Sequence, residues 1–271
     1  MPLAEDLQAI AIEIAREAGE LARRRRSAGF QIAATKSAVA DIVTEADREV
    51  EALIRSRLAD ARPGDGFLGE ESGSSVAPGP QTDITWVVDP IDGTVNYAYG
   101  IPAYSVSIAA VRGEPTPGSW EALAAVVFNP VSGELFHAAS GSGAWLAGER
   151  LAVNAAPTAA GALLATGFGY DPATHAGDLA RVARVMPLAR DLRRMGSAAL
   201  DLAFVASGRL DGYFERGLQP WDHAAGALLV VEAGGLVGGW EAGLVAGRAL
   251  TVAAGPGLFH SLLAAALEID Q

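Results

Sequence analysis

An apolar run, Trp86-Val87-Val88, stops abruptly at Asp89-Pro90-Ile91-Asp92-Gly93-Thr94, where two carboxylates stand three residues apart. Pro90 fixes one φ angle and Gly93 permits a tight bend, so both carboxylates and the Ile91 carbonyl could converge on one point. Such a donor set is all oxygen, which suits hard cations such as Mg²⁺ and not Zn²⁺, whose sites recruit His or Cys. A surface turn would use the same residues. Phe67-Leu68-Gly69-Glu70-Glu71 repeats the arrangement, a short apolar strand delivering acids at its end, and the two together favour a shared site. Two further acids each admit two readings: Asp222, which follows Trp221, and Asp47, which follows Thr44, could cap helices or join the other acids.

Other chemistries find little support. The chain has no cysteine, which removes disulfides, thiolate zinc sites and a cysteine nucleophile. His137, His175, His223 and His260 form no ligand-spaced pair, and there is neither a Gly-x-Ser-x-Gly elbow nor a P-loop. Gly141 and Gly143 begin a dinucleotide-like run, but Leu146 occupies the third glycine position. A net charge of -12 repels nucleic acid and anionic lipid over most of the surface. An acidic protein that binds phosphoesters needs metal cations in between. Arg23 to Arg26 read as the solvated end of a helix rather than a nucleic-acid patch. No apolar window is long enough for a membrane span, and Met1 to Arg26 lacks the charge order of a secretory leader. The expected location is the cytoplasm.

The elements that must position these residues follow from periodicity. Leu7, Ile10, Ile14, Ala18 and Leu21 mark one face of a first helix, and Val50, Leu53, Ile54 and Leu58 mark a second over about 45–58. Short β-type runs follow at 66–68, 84–88, 104–111, 124–128 and 134–138, with a turn at Asn129 to Gly133. This predicts a mostly antiparallel meander. Beyond Val153 come strands at 163–166, 212–215 and 250–254 and helices at 179–186, 197–206, 222–233 and 258–267. A weak boundary near 155–161 separates a metal-binding half, 1–155, from a substrate-selecting half, 156–271, within one α+β unit.

Asp89-Pro90-Ile91-Asp92-Gly93-Thr94, Trp221-Asp222-His223-Ala224-Ala225-Gly226 and Gly69-Glu70-Glu71-Ser72 resemble the three motifs of the inositol monophosphatase family, in order and spacing, over roughly Ile10 to Leu267. The chain most resembles the bacterial inositol-1-monophosphatase branch. The resemblance implies a five-layer αβαβα sandwich of the inositol monophosphatase and fructose-1,6-bisphosphatase type, a homodimer, and two or three Mg²⁺ ions. It also implies Li⁺ inhibition. Glu70, Asp89 and the Ile91 carbonyl would hold one Mg²⁺, and Asp89, Asp92 and Asp222 a second. Glu71 could assist a third.

By the same resemblance Thr94 and Asp47 activate water, with Glu70 holding it from the metal side. Lys36, Asp92, Gly93, Thr94, Gly196, Ser197, Ala198, Glu215 and Asp222 meet the substrate, with Glu215 accepting from polyol hydroxyls. The implied activity is hydrolysis of myo-inositol 1-phosphate or a related polyol phosphate. Fructose 1,6-bisphosphate, histidinol phosphate or a 3′-phosphonucleotide are alternatives, and a regulatory role on RNA or the transcription machinery is a further one. The Gly- and Ala-rich stretch from Leu236 to Arg248 departs from the family pattern.

Overall fold

Apolar residues every three or four positions make Pro2–Ala28 a long amphipathic helix, α1, with Leu7, Ala11, Ile14, Ala18 and Ala22 buried. The computed structural model describes residues 2–28, 32–35, 42–75, 82–113, 119–239 and 250–267. After α1 come β1 (Ile32–Thr35), β2 (Ile42–Thr44), α2 (Glu45–Ala61), β3 (Gly66–Gly69), β4 (Gly73–Ser75), β5 (Ile84–Asp92) and α3 (Thr94–Tyr99). A run of strands follows: β6 (Ser105–Gly113), β7 (Trp120–Asn129), β8 (Glu134–Ala139), β9 (Gly143–Leu146) and β10 (Glu149–Arg150). The remainder alternates: β11 (Ala162–Thr166), α4 (His175–Val185), β12 (Ala189–Arg193), α5 (Ala198–Ala206), β13 (Gly212–Arg216), α6 (Pro220–Glu232), β14 (Leu236–Gly238), β15 (Leu250–Ala254) and α7 (Pro256–Leu267).

β1 and β2 form a small antiparallel pair. The larger sheet has the order β10-β9-β8-β7-β6-β5-β3-β4. It is antiparallel except where β3 runs alongside β5 in the same direction. The second sheet, β12-β11-β13-β15-β14, has β11 parallel to both its neighbours and antiparallel pairs elsewhere.

Alternation along each strand sends neighbouring side chains to opposite faces. In β5, Trp86 and Val88 join the core under α1 and α2 with Leu7, Ile54 and Ile108, while Val87 joins a second core with Val127 and Phe136. That second core is filled by α5 and α6, sandwiched between the sheets; Leu200, Leu202, Leu229 and Val230 are buried there. A helix covered on both sides is apolar nearly all round, as Ala198-Ala199-Leu200-Asp201-Leu202-Ala203 is. A third core, Leu164, Phe214, Val252, Leu258 and Leu262, lies beneath α4 and α7 on the far face of the second sheet. Helices, sheet, helices, sheet and helices therefore make the five expected layers.

The strands without a sequence signal, β1, β2, β4, β9, β10, β12 and β14, are short, and all except β9 lie at sheet edges. Two to five residues carry too little alternation to be read. Three helices begin earlier than expected, α6 and α7 each with proline at the start, because proline's missing N–H costs nothing in a first turn. Among the described residues no helix is long and apolar enough to cross a membrane.

Candidate active site

Because β3 and β5 are parallel neighbours, their C-terminal ends open at the same edge of the sheet. Gly69 pairs with Val88, and the Glu70 N–H donates to the Val88 carbonyl at 3.2 Å. Glu70 thus leaves β3 beside Asp89. The β5–β6 register is irregular between Asp89, opposite Ser107, and Asp92, opposite Ser105. The first turn of α6 is tied to the same place, since Ser107 Oγ donates to the Trp221 carbonyl at 3.3 Å. This brings Asp222 to the strand ends. Asp47 arrives from the first turn of α2.

Fixed donors hold these acids. Asp89 Oδ1 accepts from the Ile91 N–H at 3.0 Å, and Asp222 Oδ2 from the Gln219 N–H at 2.7 Å. Asp92 Oδ2 accepts from Ser197 Oγ at 2.6 Å and the Ala199 N–H at 2.7 Å. Asp222 is therefore at the third position of α6, bonding back to the residue that precedes the helix, and not the cap itself. Both possible uses of that residue, capping and facing the acids, coexist. Ser197 has the same double duty, because its hydroxyl also accepts from the Leu200 N–H as the cap of α5.

Burial pushes the Asp89 carboxyl well above the usual range, and Glu70, Asp92, Asp222 and Asp47 raise it further. All four of these neighbours are carboxylates. Asp222 is raised by burial, then by Asp92 and Glu70. Asp92 is raised by burial to about 6, its rise limited by the bonds from Ser197 and Ala199. The five acids thus share one electrostatic neighbourhood, although among the described residues no three acids or histidines are gathered as a preformed metal cage. An all-oxygen set of mutually repelling carboxylates fits a hard divalent cation.

Thr94 opens α3, and its hydroxyl lies 3.2 Å from Asp47 Oδ1 and 3.1 Å from the Ile91 carbonyl oxygen. Both neighbours are acceptors, so the Thr94 proton is directed inward and its lone pairs outward. Gly93, with φ +99°, passes so close to the second half that a Cβ would lie 3.0 Å from the Gly196 carbonyl oxygen. Only glycine meets both demands.

Glu215 on β13 is pushed by burial to about 7, and Tyr213 donates its hydroxyl to Glu215 Oε2. Lys36 lies outside the described residues. Glu71 has its carboxylate 3.9 Å from Arg48 Nε. The arginine run is engaged locally: Arg24 with Glu20 at 3.7 Å, Arg25 with Glu49.

Several residues at the site had no readable signal. Glu51, 3% exposed, accepts from the Glu71 N–H at 2.8 Å and so anchors the turn that presents Glu70; its only hint was the helical spacing of four from Asp47. Tyr170 is 42% exposed, and its phenol is raised by burial, then by Asp92 and Asp222. Arg194 opposes these shifts at Tyr170 and Glu215.

The model of the inositol monophosphatase family matches residues 3–271. The inositol-1-monophosphatase of Mycobacterium leprae is 45% identical, over 96% of this chain and 93% of that protein. The Nus factor SuhB of Escherichia coli K12 is 41% identical over 86% and 85%. Among solved structures, the extragenic suppressor protein suhB from Bartonella henselae superposes with a TM-score of 0.85 at 37% identity, covering 96% of this chain and 98% of that one. Fold, strand-end acids and sequence agree: the chain belongs to the inositol monophosphatase family and is a phosphatase.

Proposed function

We propose that the protein is an Mg²⁺-dependent phosphomonoesterase acting on myo-inositol 1-phosphate or a closely related polyol phosphate. The observation that carries this reading is the delivery of Glu70 and Asp89 to one sheet edge by the parallel strands β3 and β5, with Asp92, Asp222 and Asp47 as neighbouring carboxylates. Relatives named inositol-1-monophosphatase support the substrate class.

Glu70, Asp89, the Ile91 carbonyl, Asp92 and Asp222 are the groups that would hold Mg²⁺, two ions or three. When bound, it supplies electrophilic assistance to the phosphoryl group, raises the acidity of a water and steadies the leaving alkoxide. The chain's own residues do the rest. Thr94, its proton directed at Asp47 and the Ile91 carbonyl, offers its oxygen to a water and orients it toward phosphorus. A proton taken up by Thr94 Oγ is matched by one passed to Asp47, so the hydroxyl is unchanged at the end. Glu70 steadies the same water from the opposite side. Gly93 and Thr94 present N–H groups at the start of α3 to the phosphate. Gly196, Ser197, Ala198 and Glu215 border the leaving group, and Lys36 adds a cation.

A phosphomonoester panel with and without Mg²⁺ tests this. Inositol phosphates should rank near the top in kcat/KM, ahead of fructose 1,6-bisphosphate, histidinol phosphate and 3′-phosphonucleotides, with phosphate release lost on chelation. Metal-independent hydrolysis would remove the reading.

A second reading, a regulatory partner of RNA or the transcription machinery, has one observation behind it: a relative named Nus factor. The local ion pairs of Arg24 and Arg25 weigh against a basic patch. A pull-down in which Arg-to-Ser changes at 23–26 abolish capture while hydrolysis persists would establish it.

A further inference from the structure

Asn96 is a buried amide that the steps above do not use. It lies on α3 two residues beyond Thr94, and its Nδ2 donates to the Ala103 carbonyl and to the Met195 carbonyl, each at 2.7 Å. Both partners are carbonyl oxygens, which can only accept, so the amide nitrogen must face them and both of its N–H groups are spent. Asn96 therefore has no donor left for a substrate, and its contribution runs through the backbone it holds.

These two bonds join three stretches of chain at one point. Ala103 follows α3, and Met195 stands 99 residues further on than Asn96, just before the cap of α5. A Cβ on Gly93 would lie 3.0 Å from the carbonyl oxygens of both Ala103 and Gly196, and a Cβ on Gly196, whose φ is +91°, would lie 2.9 Å from Asn96 Nδ2. Gly196 is thus seated against the Asn96 amide, and Gly93 against both carbonyls. The same seam continues through Ser105 Oγ, 3.3 Å from Ser197 Oγ, and through the Ser197 bond to Asp92. Two bonds from one planar amide fix orientation as well as distance, because each is directional.

We propose that Asn96 is a positioning residue that sets the register between Gly93-Thr94 and the segment 195–198, and through it the span between the two ends of the site. The assignment rests on the polyol-phosphatase reading above, in which Gly93 and Thr94 meet the phosphate and Gly196, Ser197 and Ala198 border the leaving group. An ester must engage both ends at once, whereas free phosphate engages one. Without the amide, the Ala103 and Met195 carbonyls lose their donor and the segment 195–198 is held less firmly. A small displacement of that segment penalises the ester in its transition state and leaves inorganic phosphate bound as before.

The test uses the full-length enzyme with Mg²⁺ and compares wild type with Asn96→Ala, with Asn96→Asp, which keeps the shape but lacks both donors, and with Asn154→Ala. Asn154 also donates Nδ2 to two acceptors, the Gly208 carbonyl and Asp211 Oδ1, but at the other end of α5, so it controls for the loss of two amide bonds as such. Both Asn96 variants should lower kcat/KM on myo-inositol 1-phosphate at least about tenfold, with Ki for inorganic phosphate within about twofold of the wild type. Asn154→Ala should change neither. Amide hydrogen exchange without substrate should quicken over 195–200 in Asn96→Ala and not in Asn154→Ala, a readout independent of turnover. A wild type that does not favour the polyol ester over 4-nitrophenyl phosphate overturns the parent reading and this one with it. A wild type that favours it, with kcat/KM of Asn96→Ala within about twofold of its own, overturns this assignment alone. Unchanged exchange over 195–200 does the same, as does an equal loss of phosphate binding and ester turnover.

Discussion

Asp92 Oδ2 accepts the Ser197 hydroxyl proton at 2.6 Å, joining the end of β5 to the cap of α5 across 105 residues of chain. One bond therefore ties an acid of the first sheet to α5. Ser197→Ala removes it together with the helix cap, and should cost about 1–2 kcal/mol, read from the denaturant midpoint. It should also weaken Mg²⁺ binding, because the Asp92 carboxylate loses a donor that favours its charged form.

Mg²⁺ should raise the melting temperature of the wild type in a concentration-dependent way, and chelation should reverse it. Asp92→Asn and Asp222→Asn should each lose most of that shift and lower kcat by about 100-fold or more under saturating Mg²⁺. Near-normal phosphate release by Asp92→Asn would remove the two-ion assignment.

Thr94→Ala should reduce kcat by about 100-fold with little change in KM, since the hydroxyl proposed to orient water is gone. Thr94→Ser should recover most of the loss. Equal activity of the Ala and Ser variants would show that the Thr94–Asp47 contact plays no part in turnover.

The Glu215 carboxyl is raised from 4.5 to about 7 in the folded protein. A carboxyl raised on folding binds its proton more tightly in the native state than in the unfolded one. The stability it contributes is complete below the unfolded value and declines as pH rises from there through about 7. Glu215→Gln should flatten this decline, so that the variant gains on the wild type between mildly acidic and neutral pH in chemical denaturation. A parallel pH dependence in the two proteins would contradict the assignment.

Gly226 of α6 faces Leu202 of α5, and a Cβ there would lie 2.5 Å from the Leu202 Cβ. Gly226→Ala should destabilise the fold by about 1–3 kcal/mol, because the two helices are held between sheets and cannot easily part. Thermal unfolding with and without the substitution measures it.

Much of this molecule could be read in one dimension. The α1 stripe, the runs of β5 to β8 and the mostly antiparallel character follow from period and punctuation, and Asp89 and Asp92 announce themselves because spacing along a chain is local information. The edge strands β1, β2, β4, β10, β12 and β14 escaped because so few residues carry no pattern.

What only the tertiary structure decided was company. That β3 and β5 run parallel, and so deliver Glu70 and Asp89 to one edge, depends on a pairing between segments that no local signal specifies. The same holds for Glu51 beneath Glu70 and for Ser197 beside Asp92. Each looks in sequence like an ordinary helix acid or loop residue. The amino-acid order fixes what each group can donate, accept or ionise, whereas burial and neighbours, which set how strongly it does so, exist only once distant stretches have packed together.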